Sequence, residues 1–297
     1  MTRKSLARLA ALAILLPLAP GALAQQISPT PMAAAEALVD GIARHDEDAV
    51  RAALGADYRK LMSVANPDPD DVTTFLEAWA RSRRIVPSGD AKAHLEVGRY
   101  GWTLPIPLVK GTAGWSFDTA AAGDEIRTRR IGRNELAAIK AMLAYADAQD
   151  DFNVHDLSAN RRDDYAQRLV SSPGKRDGLY WPTKEGEPPS PGGPLLAQAN
   201  QQYRQGVATP YHGYYYRILT AQGKNAPDGA MSYYANGKLI GGVALIAYPA
   251  KYRNSGVKTF ICNMNALVYE KDLGPDTVSK VKKIKSYDPD ETWTKVN

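Results

Sequence analysis

The chain has 297 residues, a net charge of +5 and one cysteine, Cys262. Residues 1–24 hold three of the 37 basic residues and none of the 32 acidic ones, so 34 basic and 32 acidic residues remain, a net charge of +2. This small charge gives no basis for nucleic-acid binding, and one cysteine cannot form an internal disulfide. The length predicts two domains, at roughly 100–200 residues each.

The N-terminal segment predicts an export signal, residues 1–24. Three basic residues precede an apolar run from Leu9 to Leu18, and the small residues Ala22-Leu23-Ala24 follow. This order is typical of a secretory signal peptide, and we expect cleavage after Ala24. The apolar run is shorter than the roughly 20 residues that span a bilayer, and no later segment reaches that length. We therefore expect a periplasmic or secreted protein with no transmembrane segment after cleavage.

Residues 25–125 predict an α+β domain. Helical spacing of apolar residues predicts a helix from Pro31, a second helix with Asp46 as its N-cap, and a third over residues 70–86. Strand-like segments joined by glycines follow, and the last is the arm of a hairpin, "GWSFD", residues 114–118. Helices followed by antiparallel strands indicate an α+β layer.

The order of these elements is similar to the cone-shaped NTF2-like fold (nuclear transport factor 2). That fold includes enzymes whose cone holds an Asp–His pair, so the resemblance nominates four residues: His45, Asp57, His94 and Asp118. His45 lies in a polar corner between helices, and His94 alternates with apolar residues on a strand. We therefore assign no catalytic residue. A periplasmic hydrolase, acting on a cell-wall or polysaccharide fragment through a pocket in this domain, remains the alternative.

Residues 126–275 predict a second α+β domain. Leu136, Ile139, Leu143 and Ala146 recur at helical spacing, and Ala138, Met142 and Tyr145 widen this apolar stripe. We expect Leu136, Ile139 and Leu143 to be buried against strands. A polar segment rich in proline and glycine, about 158–206, separates the helix from three predicted strands. These strands cover 213–223, 238–250 and 257–272, with a hairpin signal at Asn236-Gly237. Residues 276–297 are expected to form a polar C-terminal tail.

Two resemblances involve this half of the chain. The helix "NELAAIKAMLAYADAQDDF" and the segments "GYYYRIL", "ALIAYPA" and "TFICNMNALVYE" look like the globular half of type IV pilins and pseudopilins, a helix packed on an antiparallel sheet. The segments "GWTLPIPLVKGTAGWSFDTA", "RRIGRNELAAI" and "VYEKDLGPDT" resemble a bacterial secreted family known as a domain of unknown function, series number 2950. The second resemblance runs nearly from end to end and implies export, with no established activity.

The stretch "TPYHGYYYRIL" is the main candidate for a binding site. Strand alternation places Tyr214 and Tyr216 on one face, and tyrosine serves both in sheet cores and at contact surfaces. Both roles stay open here. The predicted contact residues, which would stack on a sugar or a partner protein, are Tyr211, His212, Tyr214, Tyr216 and Trp181.

Other motifs give weaker signals. His155 and Asp156 lack further ligands at metal spacing, so no metal site is assigned, and Cys262 alternates with apolar residues as a buried thiol does. Whether the acidic turn with Asp272 and Asp276 binds calcium stays open. The sequence has no phosphate-cradling glycine loop, so no cofactor is predicted. We expect a non-enzymatic binding or assembly module of the cell envelope, with an envelope protein or a glycan as its partner.

Overall fold

The computed structural model describes residues 25–55, 57–65, 69–154, 164–193 and 210–296. The predicted export signal and much of the polar segment 158–206 therefore lie outside the described residues. The chain divides into two compact units, the first ending at Ile126 and the second beginning at Arg127. Helices and antiparallel sheets make up both units, which confirms the α+β class. The likeness to the two named folds stays a prediction.

The first unit begins with four helices. They are α1 Pro31–Ala43, α2 Glu47–Leu54, α3 Tyr58–Ala65 and α4 Pro69–Arg81. The side chain of Thr30 caps α1, and Oδ1 of Asp46 accepts a hydrogen bond of 2.9 Å from Ala49 N, which confirms Asp46 as the N-cap of α2. The helix predicted over residues 70–86 ends at Arg81, because the β-branched pair Ile85 and Val86 continues as a strand.

Five strands complete this unit. They are β1 Arg83–Pro87, β2 Lys92–Val97, β3 Trp102–Thr103, β4 Leu108–Gly111 and β5 Gly114–Phe117. All pairs are antiparallel, in the order β1-β2-β4-β5 with β3 beside β2, and β4 and β5 form the expected hairpin. The sheet buries Leu108 and Phe117 against Leu38 and Leu54 of the helices, which fixes the main core of this unit.

A single long helix, α5, runs from Thr119 to Val154 and contains the point where the two units divide. The prediction of the buried face holds for Ile139, which packs against the core, but is wrong for Leu136, which is 62% exposed, and for Leu143, which is 36% exposed. Ala138 and Met142, which lie next to that face, are fully buried instead. Apolar residues surround most of this helix, so their spacing alone does not select one face.

The second unit is built on a five-stranded antiparallel sheet. Its strands are β6 Tyr214–Leu219, β11 Ala244–Pro249, β12 Lys258–Asn263, β13 Val268–Asp272 and β14 Thr294–Lys295, in the order β14-β13-β12-β11-β6. The strand predicted over 257–272 is thus two strands, which a turn containing Ala266 at φ 55° separates. Four short strands form two further pairs: β7 Ala221–Gln222 with β8 Met231–Ser232, and β9 Tyr234–Ala235 with β10 Lys238–Leu239.

A different helix packs on each face of this sheet. Phe260 and Cys262 share one face and belong to the same buried core as Met142 and Tyr145 of α5. Arg217 and Ile261 lie on the opposite face, where a last helix, α6 Thr277–Lys283, packs. The sheet thus lies between α5 on one face and α6 with the C-terminal segment on the other.

The C-terminal segment, expected to be a polar tail, belongs to this fold. Tyr287 is fully buried, its ring lies 6.3 Å from that of Tyr269, and Val281 of α6 is buried as well. Polar residues, chiefly lysines, surround Tyr287 and Val281 in the sequence, so the sequence pattern gives no sign that these two residues are buried. In the part of the chain that the structure describes, no helix has the length and apolar character needed to cross a membrane.

Candidate functional site

The tyrosine-rich stretch forms a tight turn that leads into β6. The backbone N–H groups of Tyr211 and Tyr214 each donate to the carbonyl oxygen of the other residue, at 2.9 and 3.0 Å. Between them, His212 has φ 47° and Gly213 has φ 74°, as a two-residue hairpin turn requires. The side chains around the turn therefore have a fixed backbone beneath them.

Tyr214 serves the core rather than a contact surface. Its side chain is fully buried, its hydroxyl donates to Lys258 O at 2.9 Å, and its ring lies 5.9 Å from that of Phe260. Burial raises the pKa of the Tyr214 hydroxyl, and nearby Glu135 adds to the rise. The prediction of Tyr214 as a contact residue is therefore wrong, since no ligand can reach its ring.

Tyr211, His212 and Tyr216 form what we call the aromatic cluster. The ring of Tyr211 lies 4.2 Å from the imidazole of His212 and 6.4 Å from the ring of Tyr216. His212 is exposed and both tyrosines are half-buried. Burial is the main cause that raises the pKa of both phenols, so both hydroxyls stay protonated at neutral pH. The hydroxyl oxygen of Tyr216 is buried and has no hydrogen-bond partner among the described residues, so the part of this side chain that a partner can contact is its ring.

Trp181, the fifth predicted residue, is half-buried outside this cluster. Its ring faces the guanidinium of Arg176, whose carbon lies 5.4 Å from the ring centroid. Its indole N–H is buried with no hydrogen-bond partner in the described residues. No ring contact joins it to the aromatic cluster in the described part of the chain, so the structure gives no reason to count it in the same site.

Two residues of α5 hold the loop before β12, which lies next to the turn at Gly213, and sequence analysis missed both. Asn134 Nδ2 donates to Ser255 O at 2.8 Å. Glu135 Oε1 accepts from the backbone N–H groups of Val257 and Lys258, at 2.8 and 3.0 Å. Hydrogen bonds to a charged acceptor are stronger than neutral ones, so Glu135 fixes the loop before β12 onto the helix.

Close packing explains two glycines in this region. A Cβ at Gly213 would lie 2.7 Å from Asn134 Nδ2, and one at Gly256 would lie 2.1 Å from the hydroxyl oxygen of Tyr214. Only glycine lets the turn, the loop and the helix approach so closely. Paired glycines within "YHGYYY" and "NSGVK" are the one sequence signal that could have indicated this contact.

The residues nominated in the first unit do not form a catalytic group. His45 lies exposed at the corner between α1 and α2, with φ 54°, and Asp57 lies exposed before α3. His94 lies on β2 opposite Val86, and Asp118 Oδ1 accepts from Ala121 N at 3.0 Å at the start of α5. Three of these residues thus lie at helix ends and one lies on a strand, which gives no shared site for a substrate.

Acidic and metal-binding candidates are also dispersed. Glu270 pairs with Lys258 at 3.1 Å, and Asp272 accepts hydrogen bonds from Gly274 N and the Tyr252 hydroxyl. No group of three or more potential metal ligands occurs among the described residues. His155 and Asp156 lie outside those residues.

The comparisons with known proteins identify a family but no activity. The family model described as "Protein of unknown function (DUF2950)" matches residues 25–296, so the chain belongs to this family. No curated protein and no solved structure matches the chain. Any statement about function must therefore come from the residues themselves.

Proposed function

We propose that this member of the DUF2950 family is an exported, non-enzymatic binding or assembly module of the cell envelope. Its contact surface is the aromatic cluster, and its partner is a glycan or an envelope protein. The observation that carries the proposal is the arrangement of Tyr211, His212 and Tyr216 around a hydrogen-bonded turn. Aromatic rings held by a fixed backbone lose little conformational freedom when they bind, which favours recognition.

The chemistry of the cluster suits a sugar or an extended polar partner. The half-buried rings of Tyr211 and Tyr216 offer apolar faces, and the exposed imidazole of His212 supplies nitrogens that can form hydrogen bonds. We favour binding over hydrolysis because an enzyme needs polar groups that converge on one substrate. His45 and Asp118, two of the four nominated residues, lie instead at helix ends.

Binding is tested with Tyr211→Ala in co-sedimentation with purified peptidoglycan and in pull-down from envelope extract. Loss of one aromatic contact should weaken binding about two- to tenfold, while the melting temperature stays nearly unchanged. The matched control is Tyr100→Ala, which removes a ring that is 92% exposed in the first unit. Equal weakening by the two variants, or none by Tyr211→Ala, contradicts the proposed surface.

Export is tested separately by intact-mass measurement of the protein recovered from the periplasm or the medium. We expect a mature chain that begins at Gln25, because the small residues before it are typical of a signal-peptidase site. Soluble protein that retains residues 1–24 would contradict export through this signal.

A further inference from the structure

A second concave site lies in the second unit, between the sheet and the C-terminal segment. It is a cavity of about 330 Å³, within the size range of small-ligand pockets. Four lysines line it: Lys271 from β13, Lys280 and Lys283 from α6, and Lys285 just after α6. Trp293 forms part of its wall. Cationic side chains from two elements thus converge on one space.

The positive charge of these lysines is not neutralised by ion pairs. Lys280 Nζ donates to Leu273 O at 2.7 Å, and Lys271 Nζ lies 5.7 Å from the ring centroid of Trp293. In the described residues, none of the four lysines forms an ion pair with a carboxylate. Each ammonium group therefore retains N–H donors for a bound anion.

Two aspartates also line the cavity, but their oxygens are already engaged. Asp288 Oδ1 accepts from the backbone and side-chain nitrogens of Asn225, both at 2.9 Å. Asp290 Oδ1 accepts from Thr292 N at 2.9 Å and from the hydroxyl of Thr292. Those hydrogen bonds, and to a smaller extent the nearby charge of Lys271, lower the pKa of Asp290, so it stays ionised and offsets part of the charge of Lys271. The lining still holds four positive charges against two negative ones.

Arg217 adds a further positive charge beneath the cavity. Its Nη2 donates to Val281 O at 2.9 Å and to Ile284 O at 2.7 Å, and Ile284 lines the cavity. These contacts satisfy carbonyls at the end of α6, which would otherwise repel an anion. Arg217 has no carboxylate partner in the described part of the chain, so its charge also favours an anion.

We propose that this cavity binds a small ligand with two or more anionic groups, either phosphates or carboxylates. Lysine ammonium groups act as compact charges with freely rotating donors, which suits both kinds of group. The site is independent of the aromatic cluster, because strand register places Ile261 and Tyr216 on opposite faces of the sheet. A failure of either site therefore leaves the other untouched.

The test uses tripolyphosphate and citrate as probes in titration calorimetry at low ionic strength. We expect at least one probe to bind, and the double variant Lys283→Gln with Lys285→Gln to weaken its affinity at least about tenfold. The control double variant, Lys175→Gln with Lys184→Gln, removes the same charge from exposed positions outside the cavity and should change affinity less than about twofold. Binding of tripolyphosphate alone indicates a phosphate ligand, and binding of citrate alone a carboxylate ligand.

Tryptophan fluorescence supplies a second readout. A ligand in the cavity should change the emission of the protein, and Trp293→Phe should abolish that change without abolishing binding. Equal loss of affinity in both lysine double variants would show that binding follows total charge alone and would overturn the proposal. Absence of binding by both probes would overturn it as well.

Discussion

Two neighbouring residues of α5 provide the sharpest test of how the second unit is packed. Met142 is fully buried, whereas Leu143 is 36% exposed. Met142→Ala removes a packed side chain and leaves a cavity, at a cost of about 2–5 kcal/mol in the free energy of unfolding. Leu143→Ala removes a side chain already in contact with water and encloses no cavity, so we expect a cost of at most about 1 kcal/mol. Leucine and methionine have similar helix propensities, so the difference between the variants isolates burial.

Scanning calorimetry measures this difference as a shift in the melting temperature of the second unit. For a unit of this size, about 1 kcal/mol corresponds to about 2–4 °C, so Met142→Ala should lower the melting temperature by about 4–20 °C. Leu143→Ala should lower it by no more than about 4 °C. An equal or larger effect of Leu143→Ala would refute the assigned orientation of α5 and restore the face that the sequence pattern favoured.

Three other outcomes follow from the same unit. Gly256→Ala should destabilise it by about 1–3 kcal/mol, because the new Cβ would lie 2.1 Å from the hydroxyl oxygen of Tyr214. Gly132→Ala should stabilise α5 by about 0.5–1 kcal/mol, since no other part of the described chain lies within 4 Å of a Cβ added there. Urea unfolding compares the two variants, and similar effects would contradict the packing. Burial raises the pKa of the Cys262 thiol to about 12, so labelling by a disulfide reagent at pH 8 should be at least about 100-fold slower in native than in urea-unfolded protein. Similar rates in both states would show that the thiol is accessible.

Local chemistry in the sequence was enough to predict several features. Asp46 caps α2, because a short carboxylate before a helix accepts a backbone N–H with no help from distant residues. Asn236 and Gly237 form the turn between β9 and β10, both with positive φ, which few residue types adopt at low cost. The burial of Cys262 follows from its alternation with apolar neighbours. Each of these depends on a few adjacent residues.

The burial of a side chain by elements far away in the sequence could not be predicted in this way. The helix α5 offers apolar side chains on most of its circumference, and only packing against the sheet decides that Met142 is buried and Leu136 is exposed. The same applies to the tyrosines: Tyr214 and Tyr216 lie on one strand face, yet Tyr214 is fully buried and Tyr216 is only half-buried.

The sequence by itself thus determined the α+β class, the N-cap of α2, the turn at Asn236-Gly237 and family membership, because these depend on local spacing and residue type. Only the tertiary structure placed Glu135 against the loop before β12 and brought Lys271 of β13 together with Lys283 of α6. The residues in each of these contacts are far apart along the chain, and their sequence neighbours give no signal of the meeting. Both contacts form only when the sheet packs between α5 and the C-terminal segment, because each contact joins residues from different elements.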